Sequence, residues 1–471
     1  MNAGQMQALM PILMLSLTAI ALMIQASIRR DEKTSWIITI VGFLLALWGA
    51  EYARDFSQPV TILLQVDSWG LFFTALVLFA SLVTALLSQD SFSPEGEQKE
   101  EYYLLLVLSA LGAVILIQSS HMASLLLGME LMGVALYAMI AFPKKGLFPL
   151  EAAVKYLVLS GCASAILLFG FALLYAATGE LSYTGIGEKA SAVYASNPLL
   201  IMAGTAMVIS GIAFKLSLVP FHMWTPDIYQ GAPTPVTGFL ATVSKAAVFV
   251  ALTRIYIDAQ LYQYESLLLA LSMLAVFSIL VGNLLALLQE NIKRLLAYSS
   301  IAHFGYLLIV LIAFTGNGMA SEAATFYLAA YILTTLGAFT VIARAAKEDE
   351  SKSQIAAFEG LFWRNKIQAI ALTVAMLSFA GIPLTAGFMA KFFVINVAIQ
   401  GSHWVLLGAL VIGSAVAIYY YLRIIFSMSK SSIKNDECCD YSGNTLVLLL
   451  TALILMLGSW PQPFITFAGG L

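Results

Sequence analysis

Charge is what this chain has least of. Only 10% of its 471 residues are Asp, Glu, Lys or Arg, whereas an average soluble domain carries roughly 25%. Hydrophobic residues make up 61% and mean hydropathy is +0.90, which excludes both a water-soluble enzyme and a disordered chain. Cysteine is scarce as well. There are three, and the adjacent Cys438 and Cys439 have neither the count of a disulfide framework nor the spacing of a zinc or iron–sulfur site. With a net charge of −3, nothing points to nucleic acid. No Walker motif and no GxxxG pair occur. Gly185-Ile-Gly187-Glu-Lys-Ala190 formally matches GxGxxA, but no strand–helix unit surrounds it, and it reads as a chance match in a short outer loop. Nothing binds a nucleotide, flavin or metal by signature, so whatever drives this chain is supplied from outside it.

Apolar runs are what the chain has in abundance. Bounded by charge or by Gly and Pro, they mark fourteen membrane helices near 7–28, 35–53, 67–89, 101–118, 120–142, 150–178, 199–219, 235–257, 264–289, 293–314, 321–345, 366–400, 403–428 and 444–464. The expected fold class is an all-α polytopic membrane protein, a single transmembrane domain over 1–471. The first run has no basic residue before it and no small-residue cleavage site, so it reads as a retained span. Glu95 to Glu101 and Arg344 to Lys366 read as solvated loops. If connections alternate sides, fifteen basic residues share one face, among them Arg29, Arg30, Lys144, Lys145, Lys347 and Lys434. Only Arg54, Lys189 and Arg254 fall on the other, and the positive-inside rule then turns both termini away from the cytoplasm.

Two spans carry interruptions. The seventh runs into Pro220, Pro226, Pro233 and Pro235, and the twelfth contains Gly381, Pro383 and Gly387. Proline removes a backbone donor and clashes with the preceding turn, so both helices should break. Pro220 and Pro383 stand 163 residues apart, an offset that suggests a five-helix unit (spans 4–8, residues 101–257) repeated as spans 9–13 (264–428). An odd number of spans inserts the second copy upside down, and paired broken helices in such a repeat point to a transport site.

The few charges within spans are the informative ones: Glu130, Lys155, Lys215, Lys245 and Lys391. A charge at the bilayer centre costs at least about 2.5–3.5 kcal/mol on insertion scales, so each is a functional hypothesis. Glu151 and Lys155, four apart on one helix, read equally as part of a relay or as a structural ion pair. Arg254 and Arg423, near helix ends, are expected to reach the interface. Lys215 precedes one break and Lys391 follows the other, while Lys245 has no acidic residue in its own helix. Desolvation opposes a buried ammonium and a nearby carboxylate favours it, so a lysine held between the two exchanges its proton when that carboxylate moves or is neutralised. Glu130 is the candidate partner of Lys215. His222 and His303 read either as relays or as hydrogen-bonded structural groups, and His121 and His403 as polar residues at span ends. These scattered histidines offer no same-helix pair for stacked b-type haems.

At these residues a family resemblance emerges. The stretch from Gly211 through Lys215, Pro220, His222 and Trp224 to Pro235 is similar to the signature of the antiporter-like membrane subunits of respiratory complex I. So are Asn291-Ile-Lys-Arg-Leu-Leu-Ala-Tyr298-Ser-Ser-Ile-Ala-His303 and the segment from Leu377 through Gly381 and Pro383 to Lys391. The likeness extends from the first span to Trp460-Pro-Gln-Pro463. It implies two half-channels in inverted repeat, Glu130 and Lys215 as a switching pair, Lys245 as the central carrier, and Lys391 as the residue handing protons to the outer half-channel. It also implies a bacterial inner membrane and partners among other membrane and peripheral subunits. FMN, iron–sulfur clusters, NADH and quinone would be used by those subunits, with no cofactor in this chain. A subunit of a cation/proton antiporter shares the motifs and stays open as the alternative. A structural adaptor leaves Lys215, Lys245 and Lys391 unexplained.

Overall fold

Backbone amides inside hydrocarbon have no water to pair with, so an apolar chain crosses it as helices that satisfy their own hydrogen bonds. The computed structural model describes residues 2–89, 99–143, 147–194, 197–314, 318–345, 353–431 and 444–469. Lys144, Lys145, Lys347, Lys352, Lys434, Cys438 and Cys439 lie outside the described residues. In chain order the helices are α1 (Ala3–Ala8), α2 (Met10–Ile28), α3 (Glu32–Tyr52), α4 (Ser68–Ser88), α5 (Lys99–Ile117), α6 (Met122–Ile140) and α7 (Leu147–Thr178). Then follow α8 (Tyr183–Tyr194), α9 (Pro198–Leu216), α10 (Trp224–Gly231), α11 (Thr234–Phe239), α12 (Lys245–Asp258), α13 (Glu265–Leu287) and α14 (Ile292–Ile312). The last are α15 (Gly318–Ala345), α16 (Leu361–Arg364), α17 (Lys366–Ala380), α18 (Ala386–Gln400), α19 (Trp404–Ser429), α20 (Asn444–Ser459) and α21 (Gln462–Gly469).

Among the described residues, twelve helical runs are long and apolar enough to cross a membrane: α2 to α7, α9, the continuous stretch Thr234–Asp258, α13 to α15, and α19. The twelfth span of the sequence is split into α17 and α18, of 15 residues each, and its last is the 16-residue α20. Polar side chains start several of these helices. Asp67 accepts from the Gly70 amide (2.7 Å), Asn291 from Lys293 and Arg294 (2.9 and 3.2 Å), and Asn365 from Gln368 (3.2 Å), each satisfying first-turn donors that the helix leaves open.

Three expectations for the connections need correction. The GxGxxA stretch lies in a helix, α8, where the Tyr183 hydroxyl meets Ser119 (2.9 Å). Gly187 is needed there because a Cβ would stand 2.8 Å from the Asp258 carbonyl oxygen. The described part of Arg344–Lys366 contains a 3₁₀ turn, Ile355–Phe358, and α16, with Ile355 and Phe358 buried, so apolar side chains pull it out of solvent. The described end of Glu95–Glu101 belongs to α5, where Lys99 and Glu100 are buried and Lys99 pairs with Glu32 at 2.9 Å. Before α4, a two-residue antiparallel pair joins β1 (Gln58–Pro59) to β2 (Gln65–Val66).

The chain falls into two compact units, Met1–Ser217 with Gly231–Leu268 and Leu471, and Leu218–Gln230 with Leu269–Gly470. In the first, the stretch Thr234–Asp258 is interior, and this overturns the interface reading of Arg254. Its side chain is 5% exposed, donates to both Asp67 carboxylate oxygens (2.7 and 2.8 Å) and to the Ile117 carbonyl (2.7 Å), and lies over the Trp69 ring. The guanidinium is thus buried, while its partner Asp67, at the start of α4, is 34% exposed. In the second unit α14 and α15 are interior. There Arg423 is half-buried and donates to the Leu287 (3.1 Å) and Gln289 carbonyls at the end of α13, near Glu290, Glu359 and Lys430.

Helices α5 and α6 pack backbone to backbone through glycine. A Cβ on Gly112 would lie 2.5 Å from the Met132 nitrogen and 2.8 Å from the Gly128 oxygen. Gly112→Ala is therefore expected to destabilise by about 1–3 kcal/mol through overpacking, seen as a lower unfolding temperature in detergent. Gly161→Ala, with nothing within 4 Å of its added carbon, is the control, and equal melting of the two variants would contradict this packing.

Candidate functional site

In the first unit, α9 ends just after Lys215, at Ser217 in the left-handed region (φ 63°). An ammonium in the last turn of a helix is favoured by the negative end of the helix dipole. Lys215 is 2% exposed, and its Nζ donates to Ser160 Oγ on α7 (2.7 Å). The Tyr137 hydroxyl on α6 donates to the same oxygen (2.6 Å). The Tyr156 ring lies 5.8 Å from Nζ and packs edge-on against Tyr137. One turn along α7, Ser164 donates to Glu130 Oε1 (2.5 Å), and Glu130 is the carboxylate whose charge reaches Lys215. Gly133, next to the site on α6, leaves room for the ammonium, since a Cβ there would come within 3.4 Å of Nζ.

Lys245 is fully buried, and the residues before it, Leu240–Ser244, form a π-helical turn. Such a turn interrupts the regular ladder and recurs at functional positions. The sequence carries no sign of it, because Leu-Ala-Thr-Val-Ser contains neither Gly nor Pro. Lys155 and Glu151 lie elsewhere on α7: they pair at 2.7 Å with side chains 44% and 56% exposed, on the outside of the unit and away from the buried cluster.

In the second unit, α17 ends at Gly381 (φ 81°), which leaves the Ala380 carbonyl free to accept from Lys391 Nζ (3.0 Å). Lys391, on α18, is 7% exposed and faces the Tyr306 ring at 5.5 Å. The break thus supplies the oxygen that holds the lysine. His303 is buried on α14, with Nδ1 at 2.7 Å from the Tyr327 hydroxyl and Nε2 at 3.5 Å from that of Tyr421. Tyr421 in turn meets Ser299. Beside His303, Thr334 and Ser378 share a hydroxyl contact (2.8 Å) in the lining of one small cavity. His222 is buried in the turn before α10.

The structure thus gathers Glu130 with Lys215, and Lys391 with the aromatic shell of His303, and leaves Lys155 and Glu151 outside both groups. What the sequence reading missed is hydroxyl: Ser160, Ser164, Tyr137, Tyr327 and Tyr421. Ser and Tyr are common in membrane helices and carry no rarity signal; only the four-residue spacing of Ser160 and Ser164 was visible. Outside the spans, His121 caps α6 by accepting the Ala123 amide at Nδ1 (3.1 Å). Burial pushes its ring below the ordinary histidine range against an opposing Glu180, and an acceptor nitrogen requires that neutral form.

Comparison with known proteins bears on the family and the fold. The family model described as NADH:quinone oxidoreductase/Mrp antiporter, transmembrane, matches residues 119–417. A chain of respiratory complex I from Thermus thermophilus, solved with bound aureothin, is 33% identical, with a TM-score of 0.84 over 97% of this chain and 99% of that one. A chain of the membrane-bound sulfane sulfur reductase, an archaeal respiratory membrane complex, is 28% identical, with a TM-score of 0.88 over 99% and 97%. A chain of the Mrp complex from Dietzia sp. DQ12-45-1b shares the fold at 18% identity, with a TM-score of 0.85 over 100% and 97%.

Proposed function

The chain belongs to the NADH:quinone oxidoreductase/Mrp antiporter transmembrane family, and from that membership we propose that it is subunit N of a bacterial proton-translocating NADH–quinone oxidoreductase. At the coarser level it is a multi-pass membrane subunit of an ion-translocating complex, with other subunits as partners. In the finer reading it sits in the inner membrane with both termini periplasmic, and its two five-helix repeats form two half-channels. Electrons pass through other subunits, which use NADH, FMN, iron–sulfur clusters and quinone. This chain responds through charge. With Glu130 ionised and near, Lys215 holds its proton, and when Glu130 is neutralised or withdrawn Lys215 releases it; Lys245 is the central carrier and Lys391 delivers to the outer half-channel.

The observation that carries this reading is the setting of Lys215 and Lys391. Each is buried in a predominantly apolar protein beside a broken helix end, held by one neutral oxygen rather than by a direct carboxylate partner. The dipole and the freed carbonyl offset only part of the cost of burying an ammonium in a membrane span, and an ionisable residue so placed is a proton-carrier hypothesis by default. The test is the parent complex reconstituted in vesicles. Lys391→Ala is expected to remove more than half of the protons translocated per NADH while quinone reduction continues, and unchanged translocation would reject the role. Purification without flavin and iron–sulfur subunits, together with sodium-dependent proton exchange, would replace this reading with the antiporter one.

A further inference from the structure

Each member of the Glu130–Lys215 pair is held by its own serine, and the two serines are one turn apart on α7. Ser160 is wholly buried and Ser164 nearly so. Ser160 Oγ accepts from two donors, Lys215 Nζ at 2.7 Å and the Tyr137 hydroxyl at 2.6 Å. A hydroxyl has two acceptor sites and one hydrogen, so with both sites filled Ser160 must give its own hydrogen away. Residues four apart on a helix share a face, with Cβ atoms about 5–6 Å apart, a gap that one bridging water spans. Ser164 commits its hydrogen to Glu130 Oε1 at 2.5 Å, so toward Ser160 its oxygen can serve only as an acceptor. At one end Lys215 donates to Ser160, and at the other Ser164 donates to Glu130.

We propose that Ser160 and Ser164, joined by one water, form a hydroxyl relay through which Glu130 and Lys215 switch by sharing a proton. The proposal rests on the functional reading above and specifies how its first pair works. An N–H bond of Lys215 breaks as an O–H bond forms on Ser160, whose original hydrogen passes to the water. The water hands a hydrogen to Ser164, and the original hydrogen of Ser164 forms a new O–H bond on Glu130. The net change is ammonium and carboxylate to amine and carboxylic acid, with nothing oxidised or reduced. The pair turns from charged to neutral without withdrawal of the Glu130 side chain. Tyr137 and Tyr156 keep the ammonium end in register.

The test uses the reconstituted parent complex, with proton translocation and infrared difference spectra recorded in turnover. Ser160→Ala and Ser164→Ala are each expected to slow translocation about tenfold, the cost of one lost hydrogen-bonded link. Because the links are in series, the double variant should be no worse than the slower single one. Ser160→Thr keeps the hydroxyl and should restore most of the rate. A protonated-carboxyl band should appear in turnover and vanish in Glu130→Gln and in Ser164→Ala. Additive losses, a threonine no better than alanine, or a carboxyl band that survives Ser164→Ala would overturn the relay. If both alanine variants translocate normally while Lys215→Ala does not, the relay alone is wrong. Normal translocation by Lys215→Ala would remove the functional reading and the relay together.

Discussion

Lys215→Arg is expected to translocate protons no better than Lys215→Ala, with both at about a tenth of the normal rate or less and both assembling. The alanine variant removes a costly buried charge but also the cation that Glu130 acts on and some packing, so only a modest net change in stability is expected. Ser160 and Tyr137 remain hydrogen-bonded to each other, and the space left borders the hydroxyl of Tyr137 and the ring of Tyr156. What disappears is the ammonium that Ser160 accepts from, on the same face of α7 as the serine that holds Glu130. The arginine variant separates charge from proton exchange. A guanidinium keeps the positive charge beside Glu130 but does not give up its proton in a protein. A charge that merely balanced Glu130 would be satisfied by Arg; a carrier would not. The measurement is vesicle acidification per NADH oxidised, with subunit content checked in the same preparation. Normal acidification by the arginine variant would show that Lys215 is a counter-ion and not a carrier.

The helices were legible because apolar length is a strong signal, and in the spans that broke, proline and glycine marked the place. Lys215 and Lys391 were legible for the same reason, as charges in runs where charge is rare. The interruption before Lys245 was not, since a π-helical turn depends on how the stretch packs inside its unit and leaves no residue type behind. The serines were invisible individually, because a hydroxyl becomes a site only when a charge on another helix reaches it. Burial was misjudged wherever it depended on a helix's place in the unit. Lys155 proved to be on the outside and Arg254 on the inside, although both occupy apolar helices. Sequence shows that a helix is apolar, but an all-round apolar helix faces lipid and protein alike.

Arg254 sets the second large effect, and here the loss is of stability. Asp67→Ala is expected to destabilise the protein by about 1–3 kcal/mol, less than the about 3–5 kcal/mol of a fully buried pair, because the Asp67 side chain is 34% exposed and solvent screens part of the charge left behind. The guanidinium would keep its bond to the Ile117 carbonyl and its place over Trp69 but lose both carboxylate bonds. Asp258 also interacts with Arg254 and offsets part of this, while the lost cap on Gly70 at the start of α4 adds about 1 kcal/mol. Asp67→Asn separates the two contributions, since its side-chain oxygen can still cap α4 but carries no charge. Its cost should therefore be only the cap smaller than that of alanine. Removing the stranded charge as well should recover stability, because a buried pair replaced by apolar groups is often neutral. Asp67→Ala with Arg254→Met is thus expected to melt higher than Asp67→Ala alone, as measured by thermal unfolding of the purified protein. A double variant that melts lower than the single one would show that Arg254 stabilises this unit through its own packing on Trp69 and Ile117 rather than through the pair.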